Sequence, residues 1–343
     1  MLRRIDGWHD HRVTGAAGTA VSAEGLALLR PRLVAFCYQM LGSPFDAEDA
    51  VQDVMERAWR ARETYDAARA SLATWCYRIA HNVCVDRLRG APRRPLPRDL
   101  QDPGIEIGAP LVPALDVPWL MPAPSAWSAT SEVGAAVERS ADVRLAVTAM
   151  LQLLPARQRG AFVLREVLGC SAAETATVLE TSVPAINSAL QRARAALAPA
   201  AGAGAVAGAA SGSLEPERVE RYARAIERAD VAALVALVAD DVVLEMPPVR
   251  AWSLGRRQFR EFMEYLFAWR GTGWETRLVG ANGQPALLLY RLTPEGPTAH
   301  TLQLFDADAH GAIGHVLVYQ DPRLFALFEN RQVCGDESGG SGS

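Results

Sequence analysis

Two stretches of this chain cannot form continuous regular structure, and they divide it into three blocks. The segment 91–131 is dense in proline and has few periodic apolar positions, which excludes a long helix or a central strand. The segment 199–213 is almost entirely alanine, glycine and serine, a composition typical of a flexible tether. The sequence therefore predicts folded units at 24–90, 132–198 and 214–332, followed by a disordered tail at 333–343.

The three blocks differ in the period of their apolar residues. The first two follow a helical period and are nearly free of internal proline and glycine, which predicts two all-α domains. The third opens with a helix-like stretch at Pro216–Val238 and continues with short β-type runs. This order predicts an α+β domain with a curved, mostly antiparallel sheet. The predicted strands are Val242–Met246, Arg277–Val279, Ala286–Leu292, Thr298–Phe305 and Ile313–Tyr319.

Charge and composition exclude several classes of protein. The formal net charge of -4 argues against a chain that binds nucleic acid over its whole surface. No apolar run reaches the roughly 20 residues of a membrane span, and the N-terminus lacks the apolar core of a signal peptide, so we expect a cytoplasmic protein without membrane contact. The cysteines form no C-x-x-C pair and have no nearby histidine, which predicts buried thiols and neither a metal site nor a cofactor. They are Cys37, Cys76, Cys84, Cys170 and Cys334.

The second block carries the pattern of a helix-turn-helix. Ser171 and Glu174 form a capping box that begins a short helix ending near Leu179, and a second helix begins at Val183. One face of the second helix is apolar, at Val183, Ile186, Leu190, Ala193 and Leu197. The other face combines amides, hydroxyls, arginines and small residues, which suits the major groove of DNA but also suits a solvated helix. Its members are Ser182, Ala185, Asn187, Ser188, Gln191, Arg192 and Arg194.

The first block contains an acidic helix face and an aromatic, basic helix. The acidic face, with Glu48, Asp49, Gln52 and Asp53, lies opposite the apolar side chains of Val51, Val54, Ala58 and Trp59. It fits either a solvated surface or a docking site for a basic partner. The later helix turns Leu72, Trp75, Ile79 and Val83 to the core, and its remaining side chains could stack on unpaired bases and contact phosphates. These are Tyr77, Arg78, His81, Asn82, Asp86, Arg87 and Arg89.

Together, these motifs resemble an extracytoplasmic-function (ECF) sigma factor of the sigma-70 family. The resemblance covers roughly residues 25–200 and is carried by MLGSPFDAEDAVQDV with ERAWR, by ATWCYRIAHNVCVDRLR, and by the long run that begins LLPARQRG at Leu153. Val117–Pro122 is similar to the inter-domain signature of a subgroup with an extra C-terminal domain. There the signature usually continues with an aromatic residue and an acid, whereas this chain continues with Ala123, Pro124 and Ser125.

The resemblance implies a role for each candidate surface. The first block would be the sigma region 2 helical bundle, and the second the sigma region 4 helix-turn-helix domain. Glu48, Asp49, Gln52 and Asp53 match the segment that docks on the β′ clamp helices of core RNA polymerase. The helix with Arg78, Asn82, Asp86, Arg87 and Arg89 would meet the minus-10 promoter element as it melts. The polar face from Ser182 to Arg194 would read the minus-35 element of promoter DNA.

The third block is similar to the SnoaL-like, NTF2-like cone. The residues that carry this likeness lie at 245–248, 252–256, 281–286, 298–303 and 321–325. Such a fold encloses a pocket, for which a small ligand is the default expectation. The candidate pocket residues are Glu245, Met246, Trp252, Trp274, Tyr290 and His300. Catalysis would need a positioned acid or base such as Asp240, Asp241, Glu245 or His300, but nothing in the spacing requires one.

The leading hypothesis is therefore an alternative sigma factor that is not itself an enzyme and whose C-terminal domain regulates it in cis. The resemblance leaves room for an anti-sigma protein and for a small ligand of the C-terminal domain. Two alternatives stay open: an NTF2-like hydrolase or isomerase fused to a DNA-binding module, and a repressor that uses the second block alone. The repressor is disfavoured because it gives the first block no role.

Overall fold

The computed structural model describes residues 21–127, 145–202 and 214–329, so most of the predicted tether, the tail at 333–343 and Cys334 lie outside the described residues. The helices are α1 (Ala23–Leu41), α2 (Pro44–Arg60), α3 (Leu72–Leu88), α4 (Leu145–Leu151), α5 (Ala156–Phe162), α6 (Ala172–Val178), α7 (Val183–Gly202), α8 (Pro216–Glu227), α9 (Val231–Leu237), α10 (Arg256–Arg270) and α11 (Pro322–Glu329). The strands are β1 (Val238–Glu245), β2 (Trp252–Leu254), β3 (Trp274–Ala281), β4 (Gln284–Thr293), β5 (Gly296–Ala307) and β6 (Ile313–Tyr319).

Helices α1, α2 and α3 form the N-terminal bundle. Each begins at a serine, Ser22, Ser43 or Ser71, whose hydroxyl accepts a hydrogen bond from a backbone amide of the first turn. Helix α1 ends at Gly42, whose left-handed φ of 71° a glycine adopts without strain. Because the buried seam of α2 contains three alanines, at positions 47, 50 and 58, its neighbours can approach closely.

The second group of helices confirms the predicted helix-turn-helix. The capping box of Ser171 and Glu174 begins α6, and α7 begins at Val183. Glu180, with φ of 52°, lies in the turn that reverses the chain. Ile186, Leu190, Ala193 and Leu197 are buried as expected. Val183 is 38% exposed, because the first turn of α7 extends beyond the helices that cover the rest of the stripe.

The C-terminal block is α+β, as predicted. Its sheet has the order β2-β1-β6-β5-β4-β3 and is antiparallel except for the pairing of β1 with β6. The prediction of one helix over Pro216–Val238 is wrong, because Ala229 adopts a left-handed φ of 51° and separates α8 from α9. Strand β2 and helices α10 and α11 had no counterpart in the sequence prediction.

The sheet has an inner and an outer face, each with its own core. The inner face, with Leu244, Leu289 and Val318, packs against α8, α9 and α10. The outer face, with Leu288 and Leu304, packs against α11, Leu96 and Leu120 of the proline-rich segment, and Leu145 and Ala149 of α4. Side chains of a strand alternate between the two faces of the sheet. The inner face therefore builds the core of the C-terminal domain, and the outer face packs against the proline-rich segment and the helical domains.

The proline-rich segment, hereafter the linker, follows the surface of the C-terminal domain. The described part, 91–127, lacks helices and strands apart from single 3-10 turns, as predicted. The Gly104 amide donates to the Trp252 carbonyl at 2.7 Å, and the Ala114 amide donates to the Pro248 carbonyl at 2.8 Å. Further along, the Asn282 amide donates to the Ala123 carbonyl at 2.9 Å. The linker is therefore fastened to the C-terminal domain at several points.

Candidate functional site

The acidic face of α2 points away from the bundle. Asp49 and Gln52 are exposed. Glu48 forms an ion pair with Arg30 of α1, and the Asp53 carboxylate accepts a hydrogen bond at 2.6 Å from Arg87 of α3. Trp59, expected on the apolar face, is 46% exposed and lies under the guanidinium of Arg62. The face is thus a negatively charged surface anchored to both neighbouring helices, and it can receive a basic partner.

Helix α3 presents some of its candidate residues and buries others. Asn82, Asp86 and Arg89 are exposed, and Arg78 and Arg87 are partly exposed. The expectation that Tyr77 and His81 are available is wrong, because both are buried. Helix α3 is covered on one side by α1 and α2 and on the other by α5 and α6. Tyr77 packs edge-on against Phe36, with ring centroids 5.6 Å apart.

The polar face of α7 is open to solvent. Ser182, Ala185, Asn187, Gln191, Arg192 and Arg194 are exposed, and Ser188 is half-buried. Arg192 donates to the Ser188 hydroxyl at 2.7 Å, and Arg194 donates to Glu166 at 2.7 Å. Six of the seven candidates thus lie on α7 outside its buried stripe and Ser182 lies directly before α7, where they could contact the groove of a nucleic acid.

The two helical domains are packed against each other through a buried arginine. Arg159 of α5 is 5% exposed; it donates to the Met40 carbonyl of α1 and to the Gln152 side chain at 2.9 Å. Burial lowers its pKa to about 10, so it stays protonated at neutral pH. Arg78 of α3 lies 3.5 Å from Glu180 in the helix-turn-helix turn. This contact joins the candidate minus-10 helix directly to the candidate minus-35 motif.

The C-terminal domain encloses a cavity of about 360 Å³ between the inner face of the sheet and α10. Met246, Trp274 and His300 of the candidate pocket residues line it. The other three lie elsewhere, since strand alternation turns Glu245 and Tyr290 to the outer face and Trp252 lies at the sheet edge, bonded to the linker. Most of the other residues lining the cavity were not among the candidates, and Leu111, Tyr222, Thr301 and Gln303 are four of them.

The sequence pattern could have predicted some of these lining residues but not others. Thr301, Gln303 and Phe305 alternate along β5, so the polar members share a face with a buried aromatic residue. This alternation would have predicted that Thr301 and Gln303 lie on the same face of the sheet as the buried Phe305. Leu111 belongs to the linker, about 145 residues before the cavity helix α10, and no local pattern links the two.

Glu245 is the centre of a buried polar cluster on the outer face. It is fully buried and accepts hydrogen bonds from the Arg98 amide and guanidinium, at 2.8 to 2.9 Å. His315 Nε2 lies 2.8 Å from Glu245, and His315 Nδ1 lies 3.3 Å from Asp306. Burial alone would raise the pKa of Glu245, but the hydrogen bond with His315 and the charge of Arg98 lower it to about 2. Glu245 is therefore a carboxylate that holds the linker.

The other candidate acids and bases do not form a catalytic pair in the cavity. Asp240 and Asp241 are exposed, and Asp240 forms an ion pair with Arg256. Burial lowers the pKa of His300, and the charges of Arg270 and Arg291 lower it further, to about 4. His300 is thus neutral at pH 7, and the described residues that line the cavity include no carboxylate.

The described ranges contain neither a metal-binding cluster nor a membrane-spanning helix. There, no three His, Cys, Asp or Glu side chains are grouped to hold a metal ion, and no helix has both the length and the hydropathy of a membrane span. Cys37, Cys76, Cys84 and Cys170 are free and buried, as predicted.

Comparison with known proteins gives three family matches. Residues 27–94 match Sigma-70 region 2, residues 144–197 match Sigma-70, region 4, and residues 219–313 match the SnoaL-like domain.

Similar proteins extend over most of the chain. It is 37% identical over 302 residues to ECF RNA polymerase sigma factor SigG of Mycobacterium tuberculosis, covering 87% of this chain and 81% of SigG. It is 31% identical over 217 residues to ECF RNA polymerase sigma factor SigJ of the same organism, covering 62% and 61%. The crystal structure of SigJ superposes with a TM-score of 0.55 at 23% identity, covering 89% of this chain and 98% of SigJ, which is a likeness of fold.

Proposed function

The chain belongs to the ECF RNA polymerase sigma factors, and from this premise we propose which surface performs each part of an alternative sigma factor's work. The acidic face of α2 binds core RNA polymerase at its β′ clamp helices. Helix α3 meets the minus-10 element, and the polar face of α7 reads the minus-35 element. The C-terminal domain regulates these contacts in cis.

The charge and exposure of α2 support its assignment to polymerase. Asp49 and Gln52 are exposed, and Glu48 and Asp53 are held in place by Arg30 and Arg87. Preorganised carboxylates lose less side-chain freedom when a basic partner docks.

The side chains of α3 and α7 support the assignment to DNA. Arg78, Arg87 and Arg89 supply positive charge beside the amide of Asn82, a combination that suits unpaired bases and their phosphates. On α7, Asn187 and Gln191 can pair with adenine, and Arg192 can pair with guanine or phosphate.

One observation carries the proposal of regulation in cis: the helix proposed to contact the minus-10 element touches the turn that leads into the helix proposed to read the minus-35 element. Arg78 of α3 lies 3.5 Å from Glu180, which precedes α7. Elements at minus 10 and minus 35 are about 25 base pairs apart, or about 85 Å of B-DNA at 3.4 Å per base pair. A 17-residue helix such as α3 spans only about 25 Å. The two helical domains must therefore separate before both elements can be read.

The C-terminal domain stabilises this docked arrangement. The outer face of its sheet packs against α4 of the second helical domain and against Phe45 of α2. The linker connects the two helical domains. The ion pair of Arg98 and the backbone hydrogen bonds of the linker fix it to the C-terminal domain. A sigma factor with these contacts is restrained, and losing them shifts the population toward polymerase-competent conformations.

The cavity supports a binding role for the C-terminal domain over the hydrolase or isomerase alternative. General acid-base catalysis needs a positioned proton donor or acceptor whose pKa suits its task. Glu245 is a buried carboxylate, but it lies on the outer face of the sheet, away from the cavity, and is bound to Arg98. The anti-sigma protein stays a prediction of the family resemblance.

The first experiment is transcription from a random promoter library with bacterial core polymerase and the full chain. A shared two-part motif among the transcripts is expected, and it identifies the promoter. Absence of any promoter-dependent transcript would overturn the assignment of the surfaces.

Regulation in cis is tested with Arg98→Ala on that promoter, with Arg93→Ala as the matched control. Arg93 lies in the same linker but pairs with Asp99 at the surface. Loss of the buried Arg98 contact is expected to raise transcription by about fivefold or more. Equal activity of the two variants would contradict restraint through the linker.

A further inference from the structure

The cavity of the C-terminal domain is closed on one side by the linker. Gly108, Ala109, Pro110 and Leu111 line it together with the sheet and α10. We propose that this composite cavity binds a neutral, largely apolar small molecule with a hydrogen-bond donor, and that the bound molecule holds the linker on the C-terminal domain. The second half rests on the proposed function, because it assumes that a held linker restrains the sigma factor.

Two buried polar atoms point to the ligand. Thr301 and Gln303 are 2% and 6% exposed, and within the described part of the chain the Thr301 hydroxyl and Gln303 Oε1 have no hydrogen-bond partner. Both side chains line the cavity. A buried polar atom without a partner destabilises the fold, so a ligand that donates to Gln303 Oε1 is favoured because it satisfies that atom on binding.

A β-bulge adds a third polar atom to the same wall. In the pairing of β4 with β5, Leu289 lies opposite Thr301 and Tyr290 lies opposite Ala299, so His300 has no partner residue. Strand alternation would turn His300 away from Thr301, but the bulge brings both into the cavity lining. His300 Nδ1 is buried and likewise has no partner in the described ranges.

The rest of the lining selects an uncharged, apolar molecule. Most of it is aromatic or aliphatic, with Tyr222, Phe262 and Trp274 among its members. Among the described residues that line the cavity, Arg270 is the one with a permanent charge, and its guanidinium is stacked on Trp269. A ligand cation would find no carboxylate here, and an ion of either sign would lose hydration without full compensation.

The linker wall couples ligand binding to the position of the linker. Leu111 and Ile105 pack against the inner core, and the bonds of Gly104 to Trp252 and of Ala114 to Pro248 fix both ends of this wall. The cavity is lined by the linker as well as by the C-terminal domain, so a ligand that fills it contacts both of them at once. By thermodynamic reciprocity, a ligand that binds better to the closed form stabilises the linker in that form.

N-Phenyl-1-naphthylamine is the probe for the test, because it is uncharged, aromatic and carries one N–H. Its fluorescence enhancement is measured with the full chain and two linker variants. Leu111→Ser removes part of the wall and is expected to weaken binding about fivefold or more. Val112→Ser is the matched control, since Val112 is 71% exposed, and its affinity should equal that of the wild type. No binding to the wild type, or equal loss in both variants, overturns the composite site.

Gln303→Leu separates a role in binding from a role in folding. This substitution removes an unpaired buried acceptor at similar volume, so the melting temperature should not fall. The affinity for N-phenyl-1-naphthylamine should fall about three- to tenfold because the N–H loses its acceptor. 1-Benzylnaphthalene, which has the same shape without the N–H, should have the same dissociation constant for both proteins when its displacement of the probe is corrected for the probe's affinity. An unchanged affinity for N-phenyl-1-naphthylamine overturns the assignment of Gln303.

The coupling is tested by transcription in the presence of the probe. Addition of N-phenyl-1-naphthylamine should lower promoter-dependent transcription by the wild type and have less effect on Leu111→Ser. If the probe binds but transcription is unchanged, the coupling is overturned and the site stands. Absence of transcript without any probe overturns the proposed function, which the binding measurement does not depend on.

Discussion

Arg98 Nη2 lies 2.8 Å from Glu245 Oε2, and this contact joins the linker to a central strand of the C-terminal domain. Glu245 is fully buried, and the Arg98 side chain is 14% exposed. A buried ion pair is costly to break by removing one partner, because the other charge is left unpaired. This contact therefore makes the position of the linker depend on the folding of the C-terminal domain.

The depressed pKa of Glu245 predicts how stability depends on pH. A folded-state pKa of about 2, below the ordinary value near 4.5, gives stability that is fully present above about pH 5 and is lost as the pH falls toward 2. The shift corresponds to about 3 kcal/mol. Chemical denaturation at several pH values should give a shallower decline for Glu245→Gln than for the wild type. The exposed Glu217→Gln is the control, and parallel curves for all three proteins would contradict the prediction.

The close approach of Gly160 to His81 predicts that a larger residue at position 160 loosens the contact between the two helical domains. A Cβ atom at this position would lie 2.8 Å from Cδ2 of the buried His81 ring on α3. Gly160→Ala should therefore weaken the packing of α5 on α3 by about 1–3 kcal/mol and raise transcription. Hydrogen exchange in α3 measures the loosening. Adding His81→Ala should restore protection, and Gly104→Ala, where a Cβ meets nothing within 4 Å, should change nothing. Unchanged exchange in Gly160→Ala would contradict the prediction.

Asp49 is an exposed acid on the face of α2 that we propose binds polymerase, so reversing its charge should weaken that binding. Asp49→Arg should weaken binding to core RNA polymerase about tenfold or more, because the proposed basic partner would face a like charge. Folding should be unaffected, since Asp49 is exposed. Binding to labelled core polymerase is measured beside Glu217→Arg, a charge reversal at an exposed position of α8. A similar loss in both variants would show a general charge effect and not a docking site.

Arg192 predicts a change in the salt dependence of promoter binding. If its guanidinium contacts a phosphate, Arg192→Ala should reduce the slope of log affinity against log salt by about 0.9. Arg221→Ala, which removes an exposed arginine of α8, should leave the slope unchanged. Holoenzyme affinity for the selected promoter is measured over a salt series. An unchanged slope with altered base preference would instead assign Arg192 to a base edge.

The sequence determined the local features of this protein, because each depends on neighbouring residues. The capping box at Ser171 and Glu174, the beginning of α7 at Val183 and the acidic face of α2 are all properties of a few consecutive turns. The α+β class of the C-terminal block followed from short runs of alternating residues. The break at Ala229 was missed because a left-handed alanine leaves no mark in an apolar period.

Only the tertiary structure decided what these surfaces face. Tyr77 is buried against Phe36 of α1, His81 is buried where Gly160 of the second helical domain approaches α3, and Glu245 is bound by Arg98 from 147 positions away. Leu111 lines a cavity whose other walls begin more than 100 residues later. Periodicity predicts which side of a helix or strand is apolar, but not which distant segment buries it. That choice depends on packing between elements far apart in sequence, where shape and charge must match in three dimensions.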